Sequence, residues 1–406
     1  MAASGVIGLD IGASGVRAVE VTLSKQGDLA LKRFGQRALP VGAVRGGIAL
    51  DGVAVTRAVK ELWKESAFVA KRVNISVNSG QVAVRKVSLP AMDASERQQA
   101  LPFLVRDVVP IPLDRAILDF IPTGAIDDSG KQTGLLIAIP SEGVTGIVRA
   151  VEKAGLDVHA VDLGALSVLR ALSRREEPGV SAVIDLGATM TTVIVQVNGV
   201  PLMVRSVARG GDEITDTLSE RLGISRPEAE EQKRQVGLSD SIDPGVAGVV
   251  RGAIGPLLSE IRSSLAYFSS SHADQQVQQI RLTGGASGLS GLRDAIARQQ
   301  ELPVTIADPL EHIAPPAGGT NIALFSATSA SAIGLTLGGT HDQSRNSTRS
   351  RSTDLAQRLR SRASKPAAAV DPAVEDGEAD PSLVAGGDGG GSAARGGWLR
   401  RSGSRD

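Results

Sequence analysis

The 406-residue chain contains no cysteine, which excludes disulfides, thiol catalysis and cysteine-ligated metals. It has no net charge either: 44 basic residues offset 44 acidic ones, so no global field argues for a nucleic-acid partner. The four histidines, His159, His272, His312 and His341, are scattered without metal-ligand spacing, and no Ser/His/Asp constellation emerges. No apolar run approaches the roughly 20 residues needed to span a bilayer. The segment Met1-Ala2-Ala3-Ser4-Gly5 has neither a basic region nor a signal core before the first apolar stretch. A soluble cytoplasmic protein is therefore the expectation, long enough for two domains with cores of their own.

What the chain does have is one device used twice. Val6-Ile7-Gly8-Leu9-Asp10-Ile11-Gly12-Ala13-Ser14-Gly15 runs an apolar strand into an aspartate and then into glycine and small hydroxyl residues. Ala182-Val183-Ile184-Asp185-Leu186-Gly187-Ala188-Thr189 does the same, so that Asp10, Gly12 and Ser14 match Asp185, Gly187 and Thr189 at one constant offset. Such a hairpin lays backbone N–H groups and a hydroxyl against a phosphate, and glycine permits the close approach. A carboxylate beside each loop holds a divalent cation through its water shell. Either loop alone is also an ordinary glycine-rich turn; the matched pair points to a nucleotide clamped from two sides. A third element, Arg281-Leu282-Thr283-Gly284-Gly285-Ala286-Ser287-Gly288-Leu289, runs a strand into a double-glycine turn ahead of a helix from Gly291 to Gln299, bare enough for a base or ribose to approach.

These three elements, in this order, resemble the phosphate 1, phosphate 2 and adenosine motifs of the actin, Hsp70 and sugar-kinase superfamily. Gly210-Gly211-Asp212-Glu213-Ile214-Thr215, Ala229-Glu230-Glu231-Gln232-Lys233 and Glu260-Ile261-Arg262-Ser263-Ser264-Leu265-Ala266-Tyr267-Phe268 look like signatures of the branch that holds the FtsA and PilM families. Val108-Val109-Pro110-Ile111-Pro112-Leu113-Asp114 with Ile117-Leu118-Asp119-Phe120 is similar to the PilM family of cytoplasmic type IV pilus assembly proteins. The resemblance covers about residues 5 to 338. It implies an α/β actin-like ATPase fold, two ribonuclease-H-like domains around a nucleotide cleft, with a subdomain inserted in the first.

The resemblance also implies roles. Gly12, Ala13 and Ser14 face the β-phosphate of ATP, and Gly187, Ala188 and Thr189 the γ-phosphate. Asp10 and Asp185 hold Mg2+ through water; the alternative is that they cap turns. Arg17 either approaches the phosphates or faces solvent from its strand. Glu230 and Lys233 reach ribose and base, although opposite charges at i,i+3 also read as a surface helix pair. Gly284, Gly285 and Ser287 lie against adenosine. Asp162 is the one candidate for orienting a hydrolytic water, or else an N-cap; without an unmistakable base, slow ATP hydrolysis is expected.

Domain I is expected over residues 1–175, with the insertion at about 85–150, and domain II over 176–338. Within the first, strands are expected at Val6–Asp10, Val16–Leu23, Leu29–Leu39, Val73–Val77, Val82–Leu89, Leu135–Ile139 and Val158–Asp162, and helices at Val53–Ala67, Glu142–Ala154 and Gly164–Arg174. Ala94–Val109 has helical composition, but Pro102 predicts a kink or restart inside it. Within the second, Ala182–Asp185, Thr191–Val197 and Pro201–Val207 repeat the strand pattern, Val246–Phe268 is a long amphipathic helix, and Ile322–Thr336 a small-residue helix suited to close packing. From residue 339 to 406 large apolar residues nearly vanish and charge alternates in blocks, so a disordered low-complexity tail is expected.

As a PilM-like factor the chain would dock the N-terminal cytoplasmic peptide of a PilN-like single-span membrane protein and sit with other pilus platform proteins beneath the inner membrane; self-association stays open. Leu101, Phe103, Leu104 and Val105 of the insertion are either groove-lining or plain core. An FtsA-like polymerising cell-division ATPase would need an amphipathic C-terminal helix, and the tail is too poor in apolar residues to supply one. A small-molecule kinase of the same fold would need a sugar-recognition set and a catalytic aspartate, neither of which is legible.

Overall fold

The strand Ile7–Ile11 is buried along its whole length, as an apolar run must be when it sits inside a sheet covered on both faces. It pairs antiparallel with Gly15–Leu23 and parallel with Arg72–Val77. The full sheet has six strands in the order 157–163, 72–77, 7–11, 15–23, 29–38, 313–314. A second, five-stranded sheet repeats the plan in the order 200–207, 191–197, 180–186, 277–283, 304–306. Here Val180–Leu186 pairs antiparallel with Thr191–Val197 and parallel with Val277–Thr283. The structure, a computed structural model, describes residues 6–23, 28–173, 179–315 and 323–338. The expected 339–406 tail lies wholly outside the described residues.

Helices Gly52–Glu65 and Ser141–Lys153 turn their apolar stripes into the core of the first sheet; Asp51 caps the former by accepting from the Ala54 N–H at 2.9 Å. Helix Gly164–Leu172 belongs to this core but also covers the second sheet, since Val183 and Ile194 join the same cluster. Their neighbours Ile184, Val193 and Val195, pointing the other way, enter a separate core roofed by the long helix Pro244–Ser271, which is continuous through Pro256.

The last described helix, Ala330–Leu337, is wedged between helix Gly164–Leu172 and the first sheet. A Cβ on Gly334 would sit 1.7 Å from the Ser167 carbonyl oxygen, and one on Gly8 would sit 1.9 Å from that of Ala332. Arg170 Nη1 and Asn74 Nδ2 donate to the Gly334 and Leu335 carbonyls in its last turn at 2.8 and 3.0 Å. The expected single helix 322–336 is in fact two, Ala323–Thr328 and Ala330–Leu337. The cause is visible: the Gly284 N–H donates to the Ala327 carbonyl at 2.9 Å, and Ser329 N–H turns back to Ser326 at 3.1 Å.

The inserted unit is a three-stranded antiparallel sheet, 83–90, 131–140 and 116–126 in spatial order, with helix Ala94–Leu104 on one face. Asp93 and Glu96 form a reciprocal capping box at its start. The expected kink at Pro102 is replaced by a helix that runs through it and stops two residues later. Leu101 and Val105, on either side, are both buried with Leu89, Phe120 and Leu136, and that burial holds the turn together. The strand Ala116–Ile126 and the helices Gly211–Leu222 and Arg226–Val236 show only short distinctive words in the sequence and add three elements to those expected.

Candidate functional site

The two hairpins close with the same bond: Gly12 N–H donates to the Gly15 carbonyl and Gly187 N–H to the Met190 carbonyl, both at 3.0 Å. They face one cleft of about 590 Å³ between the sheets, whose wall includes Asp10, Gly12, Ala13, Ser14, Arg17, Asp185, Gly187, Ala188, Thr189, Glu230, Lys233, Gly284 and Gly285. Thirteen of the fifteen nucleotide-site, cation and catalytic residues named from the sequence thus meet in one place. Ser287 and Asp162 do not line it. The Ser287 hydroxyl is buried and donates to the Gly284 carbonyl at 2.7 Å, closing the double-glycine turn from inside. Asp162 accepts from Arg170 Nη2 at 2.8 Å, tying its strand to the following helix; the residue before that helix is Leu163, and no side chain caps it.

Arg17 turns into its loop rather than to solvent. Its Nη2 donates to Ser14 Oγ at 3.0 Å, and Nη1 lies 3.9 Å from Asp10 Oδ2. Asp10 also accepts a 2.6 Å hydrogen bond from the buried Ser76 hydroxyl on the neighbouring strand. Asp185 sits differently. It is flanked in register by Thr192 and Thr283, and its Oδ1 would lie 2.4 Å from a Cβ on Gly284. Gly284 has φ +88°, so this position demands glycine twice over. Burial, with Asp10 across the cleft adding repulsion, pushes the Asp185 carboxyl up to about 6 despite the opposing Arg17 charge. Its side chain nonetheless keeps some contact with the cleft.

The far wall is a charged network. Lys233 is buried, and its Nζ donates to Glu230 Oε2 at 2.6 Å, Thr215 Oγ1 at 2.8 Å and the Gly211 carbonyl at 3.1 Å. Glu230 also accepts from Thr215 at 2.6 Å and Arg234 at 2.9 Å. Its partial burial raises the carboxyl, but hydrogen bonds from Lys233 and Thr215 outweigh that and leave it below the ordinary range. Glu230 and Lys233 therefore join two helices under the cleft instead of decorating a surface.

Sequence reasoning passed over Asp212 and Arg226, which also line the wall and pair at 3.0 Å. Burial holds the Asp212 carboxyl above its usual value against the pull of Arg226 and Lys233. The Gly-Gly-Asp word that contains Asp212 was a usable signal, whereas Arg226 carried none. The N–H groups of Gly211 and Asp212 donate to the Gly187 and Ala188 carbonyls at 3.0 and 2.8 Å, so this helix start anchors the second hairpin.

The donor set is hard oxygen and backbone nitrogen. Among the described residues no cluster of three carboxylate or imidazole side chains is placed to hold a metal ion. Two opposed carboxylates beside glycine cradles suit a cation that keeps its waters and shares a ligand's own oxygens. In the insertion the four apolar candidates divide: Leu101 and Val105 are buried in its core, while Phe103 is 76% exposed and Leu104 41%. Among the described residues no helix is long and apolar enough to cross a membrane.

Paired half-domains that each offer a hairpin to a shared cleft, with a unit inserted in the first, define the actin-like ATPase fold. A family model described as type IV pilus assembly protein PilM matches residues 8–340, and the chain belongs to that family. Among solved structures, one described as a PilM-PilN type IV pilus biogenesis complex matches with a TM-score of 0.74 at 26% identity, over 82% of this chain and 98% of that one. The cell division protein FtsA of Bacillus subtilis (strain 168) is 25% identical over 256 residues, 57% of this chain and 58% of the relative. FtsA of Streptococcus pneumoniae serotype 2 (strain D39 / NCTC 7466) is 27% identical over 255 residues, 57% and 55%. The chain spans a little over half the length of these curated relatives.

Proposed function

We propose that the chain is an ATP-binding assembly factor of a type IV pilus or related secretion machine, with nucleotide held between the two hairpins. The observation that carries this is the pair of identically closed loops facing each other across one cleft, each with a carboxylate behind it. Gly12 to Ser14 and Gly187 to Thr189 would offer N–H and hydroxyl donors to the phosphates, with Arg17 adding charge. Asp10 and Asp185 would hold Mg2+ through its water shell. Gly284 and Gly285 would lie against the nucleoside opposite Glu230 and Lys233. In this reading residues 1–175 and 176–338 are the two domains, and 339–406 a tail.

Bound ATP would act chiefly as a structural ligand with slow turnover. The one aspartate put forward to orient water, Asp162, is occupied by Arg170 and stands off the cleft wall. The inserted unit at about 85–150 would dock the cytoplasmic N-terminal peptide of a PilN-like single-span protein, which would place the chain at the inner face of the cytoplasmic membrane. The matched PilM-PilN complex supports such a partner, and the exposed Phe103 and Leu104 supply apolar surface for it. The FtsA alignments favour a second reading, membrane-associated polymerisation. Competition of unlabelled ATP against a fluorescent ATP analogue, with magnesium, tests the first: displacement lost in Asp185→Ala supports it, and failure of the wild type to bind any adenine nucleotide rejects it. Pelleting with lipid vesicles, without peptide binding, would transfer support to the second.

A further inference from the structure

Asp10 and Asp185 end equivalent strands, and each has a parallel neighbour on the side away from its hairpin. Leu9 pairs with Ile75, so the next step sets Ser76 beside Asp10; on the other side Thr283 pairs directly with Asp185. Paired residues of parallel strands project to the same face, so each aspartate has a hydroxyl residue at its flank. The Ser76 hydroxyl uses this placement and donates to Asp10 Oδ1 at 2.6 Å. Thr283 does not. It is fully buried, and its Oγ1 meets no hydrogen-bond partner among the described residues. Leaving a buried hydroxyl unpaired is unfavourable, and the fold avoids this at Ser76. Asp185 is in reach of the same strand, because its Oδ1 lies over Gly284, the residue after Thr283.

We infer that Thr283 is a positioning residue for Asp185, its hydroxyl turning to donate to that carboxylate when nucleotide and a divalent cation occupy the cleft. The inference rests on the nucleotide reading above and adds to it the group that aims the second carboxylate. The chemistry is consistent: a carboxylate that holds a hydrated cation uses one oxygen for the water shell and leaves the other free to accept. A threonine hydroxyl supplies that donor without adding charge. Ser76 already performs the matching task for Asp10, so the two aspartates would become alike only in the loaded cleft.

The test is the melting shift of the full chain with saturating ATP, titrated with Mg2+ and compared with an EDTA arm. Thr283→Val, which keeps the shape and removes the hydroxyl, is expected to need about fivefold more Mg2+ to reach half its shift. Its shift in EDTA should equal that of the wild type, and Thr283→Ser should restore the wild-type magnesium dependence. Should Thr283→Val fail to fold, Thr283→Ser against Thr283→Ala gives the same contrast in two smaller side chains. A magnesium midpoint unmoved by loss of the hydroxyl would overturn the inference alone. No ATP shift in the wild type would overturn the nucleotide reading and this inference with it.

Discussion

Asp10 and Asp185 occupy the same place in two like hairpins, yet among the described residues the first carboxylate accepts a side-chain hydrogen bond and the second accepts none. Asp10 accepts from Ser76 and stands near Arg17, a guanidinium that also braces Ser14. At the position of Arg17 the second hairpin has Thr192, and in place of Ser76 it has the unpaired Thr283. Even the residue that follows differs: Val77 ends the first flanking strand, whereas the second has Gly284 with φ +88°. The two hairpins share a backbone plan and differ in the side chains that their return and flanking strands set beside the aspartate. The half with fewer partners is the one with most to gain from a ligand that brings a cation.

The largest predicted effect attacks the backbone side of this contrast. Gly284→Ala must adopt a left-handed conformation and push its methyl into Asp185 and the Leu186 carbonyl. Urea unfolding should show a loss of about 2–4 kcal/mol; a loss well under 1 kcal/mol would mean that the turn is less constrained than its geometry implies.

The carboxylates themselves should respond with opposite sign. Asp185→Asn removes a charge that burial and the nearby Asp10 disfavour, and should stabilise the ligand-free protein at pH 7. A carboxyl moved from near 4 to about 6 sets a ceiling of about 3 kcal/mol, reduced because the group keeps some water. In wild-type protein the unfolded carboxyl releases its proton near pH 4 and the folded one near 6. Between those values the folded state binds more protons, so this group's contribution makes stability fall as pH rises from about 4 to about 6 and level off above. Asp185→Asn should lack that descent. Asp10→Ala instead strands the Ser76 hydroxyl and should destabilise by about 1–3 kcal/mol. If both variants move in the same direction, the electrostatic contrast between the halves is wrong.

The sequence showed one side of this contrast and hid the other. The hairpins were legible because glycine and aspartate recur at fixed spacing and a tight turn demands them locally. The burial of Lys233 was not, since beyond Glu230 its contacts come from Thr215 and Gly211 on another helix. Nor was the withdrawal of Ser287, or the capture of Asp162 by Arg170 eight residues on, because an aspartate at a strand end reads alike whether it meets water or a guanidinium. The helix break at Ser329 depends on a donor from Gly284, remote in sequence. Within the insertion, helical periodicity could not separate Leu101 and Val105 from Phe103 and Leu104 until the three-stranded sheet was in place.

That division gives the smallest predicted effect on stability. Phe103→Asp lies on an open face and should change unfolding free energy by no more than about 0.5 kcal/mol, keep the response to ATP, and lose affinity for a PilN-like peptide. Unchanged peptide affinity would put the docking face elsewhere in the molecule.

The claim on which the rest depends is that the cleft between the paired hairpins takes a nucleotide with its cation. Thermal unfolding of the wild-type chain, with and without ATP and magnesium, tests it most directly. At a hundredfold excess over Kd, binding should add about 2.7 kcal/mol, a rise of about 5–10 °C for domains of this size. An unchanged melting temperature with every adenine and guanine nucleotide tried would contradict it.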